Sequence, residues 1–189
     1  MGLNAFGAEP GPDEVIRKTA EEVIASIKAD SAIQSGDRSK AYALIEQKVL
    51  PHFDFTRMTR LAMGRNWNQA SPDQQKQLIY EFKDLLVRTY ASSLSQYKDQ
   101  VVQIKGTESQ PDGNDAVVHS AIVPSGGQTV PIDYSMEKMS DSWKVYDIRV
   151  DGVSLVTNYR SEFADIVRRN GVDGLIKALD DKRKLASKQ

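Results

Sequence analysis

A histidine and a serine stand side by side at positions 119 and 120, a base next to a hydroxyl, which is the pairing that nucleophilic catalysis requires. The surrounding residues 115–123 read as a β-strand, and neighbours on a strand point to opposite faces, so the two side chains cannot meet. Asp133 and Asp147 also fall on strands, and nothing beyond that placement marks them as an acid–base pair; a solvated sheet face accounts for both. The sequence has no G-x-S-x-G elbow, no H-E-x-x-H pair and no glycine-rich phosphate loop, and Ser125-Gly126-Gly127 reads as a hairpin turn. With no cysteine, and with His52 and His119 as the two histidines, disulfides, thiol catalysis and cysteine- or histidine-rich metal sites are excluded.

Lys and Arg number 25 against 26 Asp and Glu, a net charge of −1, so no global field recruits nucleic acid or an anionic membrane surface. No apolar run reaches the roughly 18 residues that a membrane-spanning helix needs. At 189 residues the chain reads as one domain, 12–185, large enough to bury about 70% of its unfolded surface and to hold a core and a cavity. The start, MGLNAFGAEPGP, is short and rich in small residues. Residues 1–11 read either as the scar of a signal peptide's cleavage region behind a new start methionine or as a plain disordered terminus, and 186–189 as a frayed tail.

The elements that must position any site divide the chain by period. Pro12 opens a first helix, with Asp13 and Glu14 beside its positive end and Ile16, Ala20, Val23, Ile24 and Ile27 at helical spacing. A second begins near Asp37 and stops at Pro51. Asp54 caps a third, which Gly64 ends. "SPDQ" at 71–74 starts a fourth, which would be about 26 residues and roughly 39 Å long if it runs to Tyr97. The period then changes to two: 101–105, 115–123, 129–138 and 142–150 read as strands of an antiparallel meander. In the last of these, Trp143 and Val145 point one way while Tyr146, Ile148 and Val150 point the other, so both faces want cover or a bulge re-aims the strand. Asp151-Gly152 is a turn into a helix capped by Ser154, which ends in "RRNG", and a last helix runs from Val172 to about Leu185. The sum is α+β segregation, one curved antiparallel sheet covered on one face by long helices.

What the chain holds in excess is apolar surface. "FDFTRMTRLAMGRNW", residues 53–67, packs two Phe, two Met and one Trp onto a short element. Spacing alone leaves two readings open, core packing and a wall that adapts to variable alkyl shapes.

Residues 65–97, "RNWNQASPDQQKQLIYEFKDLLVRTYASSLSQY", followed by W-x-V-Y-D-I-x-V-x-G-V-S-L-V-x-N-Y-R at 143–160 and "NGVDGLIKALDDK" at 170–182, resemble in order and spacing the MlaC family of periplasmic phospholipid carriers, also called toluene-tolerance auxiliary proteins. The resemblance runs from about residue 14 to 184. It implies an NTF2-like sheet with additional N- and C-terminal helices. It also implies a carrier, not an enzyme, that needs no cofactor or metal, stays a monomer and holds one diacyl phospholipid by its acyl chains. Such a carrier shuttles lipid in the periplasm between an outer-membrane lipoprotein complex and an inner-membrane MCE-ring ABC transporter, maintaining outer-membrane lipid asymmetry.

That job demands a tunnel nearly as apolar as a bilayer, because each of roughly 30 buried methylenes is worth about 0.8 kcal/mol. On the resemblance, two walls are expected. The sheet wall is Val117, Ile122, Ile132, Tyr134, Trp143, Val145, Ile148 and Val150; the helix wall is Phe55, Met58, Leu61, Met63, Phe82, Leu86, Tyr90, Leu94, Val153, Leu155, Val156, Tyr159 and Phe163. Trp143, Val150, Val153, Leu155 and Tyr159 would gather near the mouth, with Arg149 or Arg160 by the head group. Two alternatives stand beside this reading. An NTF2-like enzyme for an apolar small molecule would use Asp133, Tyr134 or His119 as acid or base and needs an inward-facing polar dyad. A solid-cored interaction module would have no cavity above about 300 Å³.

Overall fold

A computed structural model describes residues 9–186 other than 95, 98 and 141. Most of the segments read as a disordered start and a frayed tail lie outside the described residues. Helix α1, Pro12–Ala29, follows Gly11 as its N-cap, and the four-residue α2, Ser31–Gln34, has no counterpart in the sequence reading. Helix α3 spans Arg38–Lys48, with Asp37 accepting from the backbone of Lys40, and a 3-10 turn at Leu50–His52 absorbs Pro51. Helix α4, Phe55–Met63, starts where the Asp54 carboxylate accepts from the Arg57 backbone at 2.9 Å and stops at Gly64, whose φ is +54°. A second 3-10 turn, Gly64–Gln69, leads to α5, Pro72–Leu94.

The start of α5 is a reciprocal capping box. The Gln74 backbone donates to the Ser71 hydroxyl at 3.2 Å, and the Gln74 side-chain oxygen accepts from the Ser71 backbone at 2.8 Å. The helix has 23 residues, about 35 Å, and ends at Leu94 rather than Tyr97.

Strands β1, Val101–Ser109, β2, Asp115–Val123, β3, Val130–Met139, and β4, Ser142–Val150, form an antiparallel meander, and the short β5, Val153–Ser154, completes the order β1-β2-β3-β4-β5. Helix α6, Leu155–Ala186, is broken at Gly171, where φ is +70°, so the two C-terminal helices read from the sequence are the two halves of one interrupted element.

Two bulges shape the sheet. One falls between Ile104 and Gly106; the other lies on β4, opposite the step from Ser135 to Met136. Met136 pairs with Val145 and Ser135 with Asp147, so Tyr146 is the extra residue. The consequence settles the two-faced reading of β4: Trp143, Val145, Ile148 and Val150 all lie on one face, because paired residues share a face.

β4 and β5 are joined by Asp151 and Gly152, with φ of +49° and +81°, the two positive values of a primed hairpin turn. The expected direct hand-over from strand to helix is therefore a tight hairpin first. A Cβ at Gly152 would meet nothing within 4 Å, so substitution there strains only the backbone. Gly152→Val is expected to lower stability by about 1–2 kcal/mol, read as a shift in the urea midpoint. An unchanged midpoint would mean that this turn relaxes to negative φ without penalty.

Among the described residues the packed interior comes in three clusters. The largest joins α4, α5 and α6 through Met58, Met63, Phe82, Leu86, Val156, Phe163 and Leu175. A second joins α1, α2, α3 and α5 around Ile27, Ile45, Val87 and Ala91. The third lays Val15 and Ile16 of α1 on Val118, Met136 and Val145 of the sheet.

Candidate functional site

The register sorts the sheet into two surfaces. The inner one carries Val102, Ile104, Val118, Ser120, Ile122, Val130, Ile132, Tyr134, Met136, Val145, Ile148 and Val150; the outer one carries His119, Asp133, Ser135 and Arg149. Coverage of the inner face is graded. Near the β1–β2 and β3–β4 turns, Ala116, Val118, Met136 and Val145 are almost fully buried. Towards the β2–β3 and β4–β5 turns, Ile122, Ile132 and Val150 are only half-buried and join none of the three packed clusters. The same end carries Leu155 at the start of α6, also half-buried, and then Tyr159, whose phenol neighbours Tyr90 of α5. The sheet face at this end is therefore aliphatic and only half covered, with aromatic helix residues beside it.

The helix-wall residues fall into two groups. Met58, Met63, Phe82, Leu86, Val156 and Phe163 are buried within the first cluster, and Phe55, Leu61 and Tyr159 sit on its margin. Leu94 lies on the margin of the second cluster, while Tyr90 is exposed. Phe82 meets Tyr159 and Phe163 edge to face, at centroid distances of 5.0 and 5.1 Å.

Several expectations are corrected. Val117 pairs with Ser135 and Glu108, on the outer face, away from the other sheet-wall residues. Trp143 pairs with Lys138, near the closed end, and does not gather with Val150. Val153 pairs with Val150 but is 62% exposed at the sheet's edge. Arg149 lies on the outer face opposite Asp133. Arg160 donates from Nε to the Leu61 carbonyl at 2.9 Å, holding the C-terminal turn of α4 to α6.

Polar contacts between residues distant in sequence fix this frame. Asp147 on β4 accepts from the Ser154 hydroxyl at 2.6 Å and from the Val156 backbone at 3.1 Å, while Ser154 Oγ accepts from the Thr157 backbone at 3.0 Å. A carboxylate at the positive end of α6 thus ties that helix to the sheet beside the half-covered rows. At the closed end Arg57 of α4 pairs with Glu137 at 2.8 Å and Asp115 at 3.0 Å, and its guanidinium lies 3.6 Å from the Tyr146 ring centroid. Burial first, then the neighbouring Asp54 carboxyl, push the Glu137 pKa up. An open cleft of about 520 Å³ beside Arg57, Gln110, Pro111, Asp112, Asp115 and Tyr146 is polar and touches none of the expected wall residues.

The acid–base candidates do not assemble inside. His119 Nδ1 and Asp133 are 2.8 Å apart, but on the outer face, with Glu108 3.5 Å from His119 Nε2; Tyr134 faces inward. The hydrogen bond to Asp133 raises the His119 pKa, with both carboxylates adding to the shift. A raised folded-state pKa adds stability that is fully present below the unfolded value, about 6.5, and is lost as pH rises through the folded one. Because the side chain is 35% exposed, the expected contribution is that of a surface pair, about 0.2–1 kcal/mol. His119→Gln should therefore flatten the fall in Tm between pH 6 and 8; parallel profiles for the two proteins would show that His119 titrates without a folding consequence.

Among the described residues no group of three or more His, Cys, Asp or Glu could hold a metal ion, and no helix is long and apolar enough to cross a membrane. The fold is thus an α+β assembly whose sheet turns an incompletely covered aliphatic face towards helices.

The sequence matches the MlaC protein family over residues 17–181, and the chain belongs to that family. It is 26% identical over 170 residues to the toluene tolerance protein ttg2D of Pseudomonas putida, covering 89% of this chain and 78% of that one. It is 24% identical over 173 residues to the intermembrane phospholipid transport system binding protein MlaC of Haemophilus influenzae, covering 89% and 80%. A phospholipid-binding protein from Ralstonia solanacearum, solved in complex with a phospholipid, superposes with a TM-score of 0.86 at 39% identity, over 93% of this chain and 98% of that one.

Proposed function

We propose that this protein is a periplasmic carrier that holds the acyl chains of a phospholipid between the inner face of its sheet and helices α5 and α6. The observation that carries the reading is the half-covered aliphatic face around Ile122, Ile132 and Val150, in a fold shared at 39% identity with a protein solved with phospholipid bound. A carrier needs a site that releases as well as holds. An apolar wall with few directional contacts does both, since its grip scales with the methylenes buried.

On this reading the carrier shuttles lipid between an outer-membrane lipoprotein complex and an inner-membrane MCE-ring ABC transporter, and so maintains outer-membrane lipid asymmetry. The family membership supports that circuit, and the phospholipid transport named for the Haemophilus influenzae relative agrees with it. Native mass spectrometry after detergent-free purification should show a co-purifying diacyl phospholipid, and the stripped protein should extract lipid from vesicles. A protein that is always empty and extracts nothing would end the carrier reading.

A further inference from the structure

The inner face of the sheet changes character along its length. Ile122 with Val130, Ile132 with Val150, and Tyr134 with Ile148 are half-buried and lie in three successive rows. In the next row, Met136 and Val145 are fully buried. Among the described residues, neither α5 nor α6 shares a packed cluster with that row. The cover comes from α1. Val15 and Ile16 pack on Val118, Met136 and Val145, and Glu9, just ahead of the helix, pairs with Lys138 of β3 at 3.1 Å. Further along, α1 leaves the sheet, and Ile27 packs with α2, α3 and α5. The start of α1 is thus a stopper laid across one end of the face, held by an ion pair to the strand it closes.

The two kinds of row treat an alkyl chain differently. Half-covered rows offer apolar surface, and a chain laid on them displaces no packed side chain. At Met136 the interior is already filled, and a chain can go no further without breaking that packing. Val130 and Met136 stand six residues apart on β3, about 20 Å at the rise of a strand, which is the extended length of a chain of roughly 16 carbons. Resting on the phospholipid reading above, we propose that Val15 and Ile16, seated on Met136 and Val145, are the stop that sets acyl-chain length, so that the protein selects phospholipids with chains of about 16 carbons over those with longer ones. Methylenes beyond that length have no apolar row to enter and remain in water, which forfeits the gain from burying them.

The test varies chain length alone. Lipid-stripped protein is mixed with vesicles holding equal parts of dimyristoyl, dipalmitoyl, distearoyl and diarachidoyl phosphatidylethanolamine, and bound lipid is counted by native mass spectrometry. Wild-type uptake should fall beyond the dipalmitoyl lipid. Ile16→Ala draws the stop back, and relative to wild type it should gain about ten-fold in distearoyl over dipalmitoyl uptake. Taking variant against wild type cancels the vesicle's own hold on longer chains. Ile45→Ala, an equal truncation in the cluster of α1, α2, α3 and α5, should leave that ratio unchanged. Wild-type uptake that does not fall beyond the dipalmitoyl lipid overturns the proposal without recourse to any variant, and leaves the carrier reading standing. An Ile16→Ala ratio equal to that of wild type overturns it too, as does the same gain in Ile45→Ala, the mark of a generally loosened fold. Should Ile16→Ala fail to fold, Ile16→Val carries the same test with a smaller gain expected. Uptake of no lipid by wild type overturns the carrier reading and the proposal together.

Discussion

Ile132→Glu should empty the protein of lipid while leaving it folded. Ile132 sits on the inner face, paired with Ser120 and Val150, half-buried and outside the packed clusters. In the unloaded protein a carboxylate there keeps contact with water, so the fold tolerates it. Loading brings alkyl chains against the same position and strips that water away, and an unpaired buried charge costs several kcal/mol. About 2.8 kcal/mol of that penalty is enough for a hundredfold loss of affinity. Two readings check the result: co-purified lipid by native mass spectrometry, and Tm of the stripped protein. Wild-type lipid content in a folded variant would take Ile132 out of the ligand wall and move the search for the chains elsewhere in the molecule.

Phe82→Ala is expected to be the most damaging single truncation, at about 3–5 kcal/mol. The ring is fully buried, and its edge-to-face contacts with Tyr159 and Phe163 tie α5 to α6. Single domains are stable by about 5–15 kcal/mol, so much of the margin would go. The same variant separates core from lining. If Phe82 is packed only against protein, urea midpoints of the lipid-loaded and stripped forms should fall by the same amount. If its ring borders the chains, lipid can slump into the void, and the loaded form should lose clearly less. Equal losses are expected from its place in the cluster of α4, α5 and α6.

Local chemistry made much of the frame legible. The Ser71–Gln74 box, Asp54 and Ser154 as caps, and the stops at Gly64 and Gly171 are written in adjacent residues, and the observed hydrogen bonds and dihedral angles match them. The α+β class followed from the change of period after α5, and the likeness to the Ralstonia solanacearum protein bears it out. Parity was the weak point. Val117 and Ile122 are five residues apart, so a regular strand sends them to opposite faces, and shared apolarity alone had placed both on one wall.

The rest depended on partners distant in sequence. Nothing near Arg160 announces the Leu61 carbonyl, 99 residues away, and nothing near Asp147 announces that it will meet the start of α6. Arg57 likewise reads as one more cation until the fold brings Asp115, Glu137 and Tyr146 around it. Tyr134 stood out in the sequence as one aromatic among apolar neighbours. Its place on the inner face, next to Ser120, comes from the register.

The extra residue at Tyr146 has a consequence for how the family can change. β4 sets Trp143, Val145, Ile148 and Val150 on one side although their spacings are two, three and two. That odd middle step is what the bulge absorbs: with Tyr146 set aside, Val145 and Ile148 stand two apart on the ladder and so face the same way. Losing Tyr146 would leave a regular strand with the same residues inward, whereas losing one residue within the regular stretches on either side sends part of the apolar set outward, into the surface of His119 and Asp133. The strand can shed this one residue without turning its wall inside out.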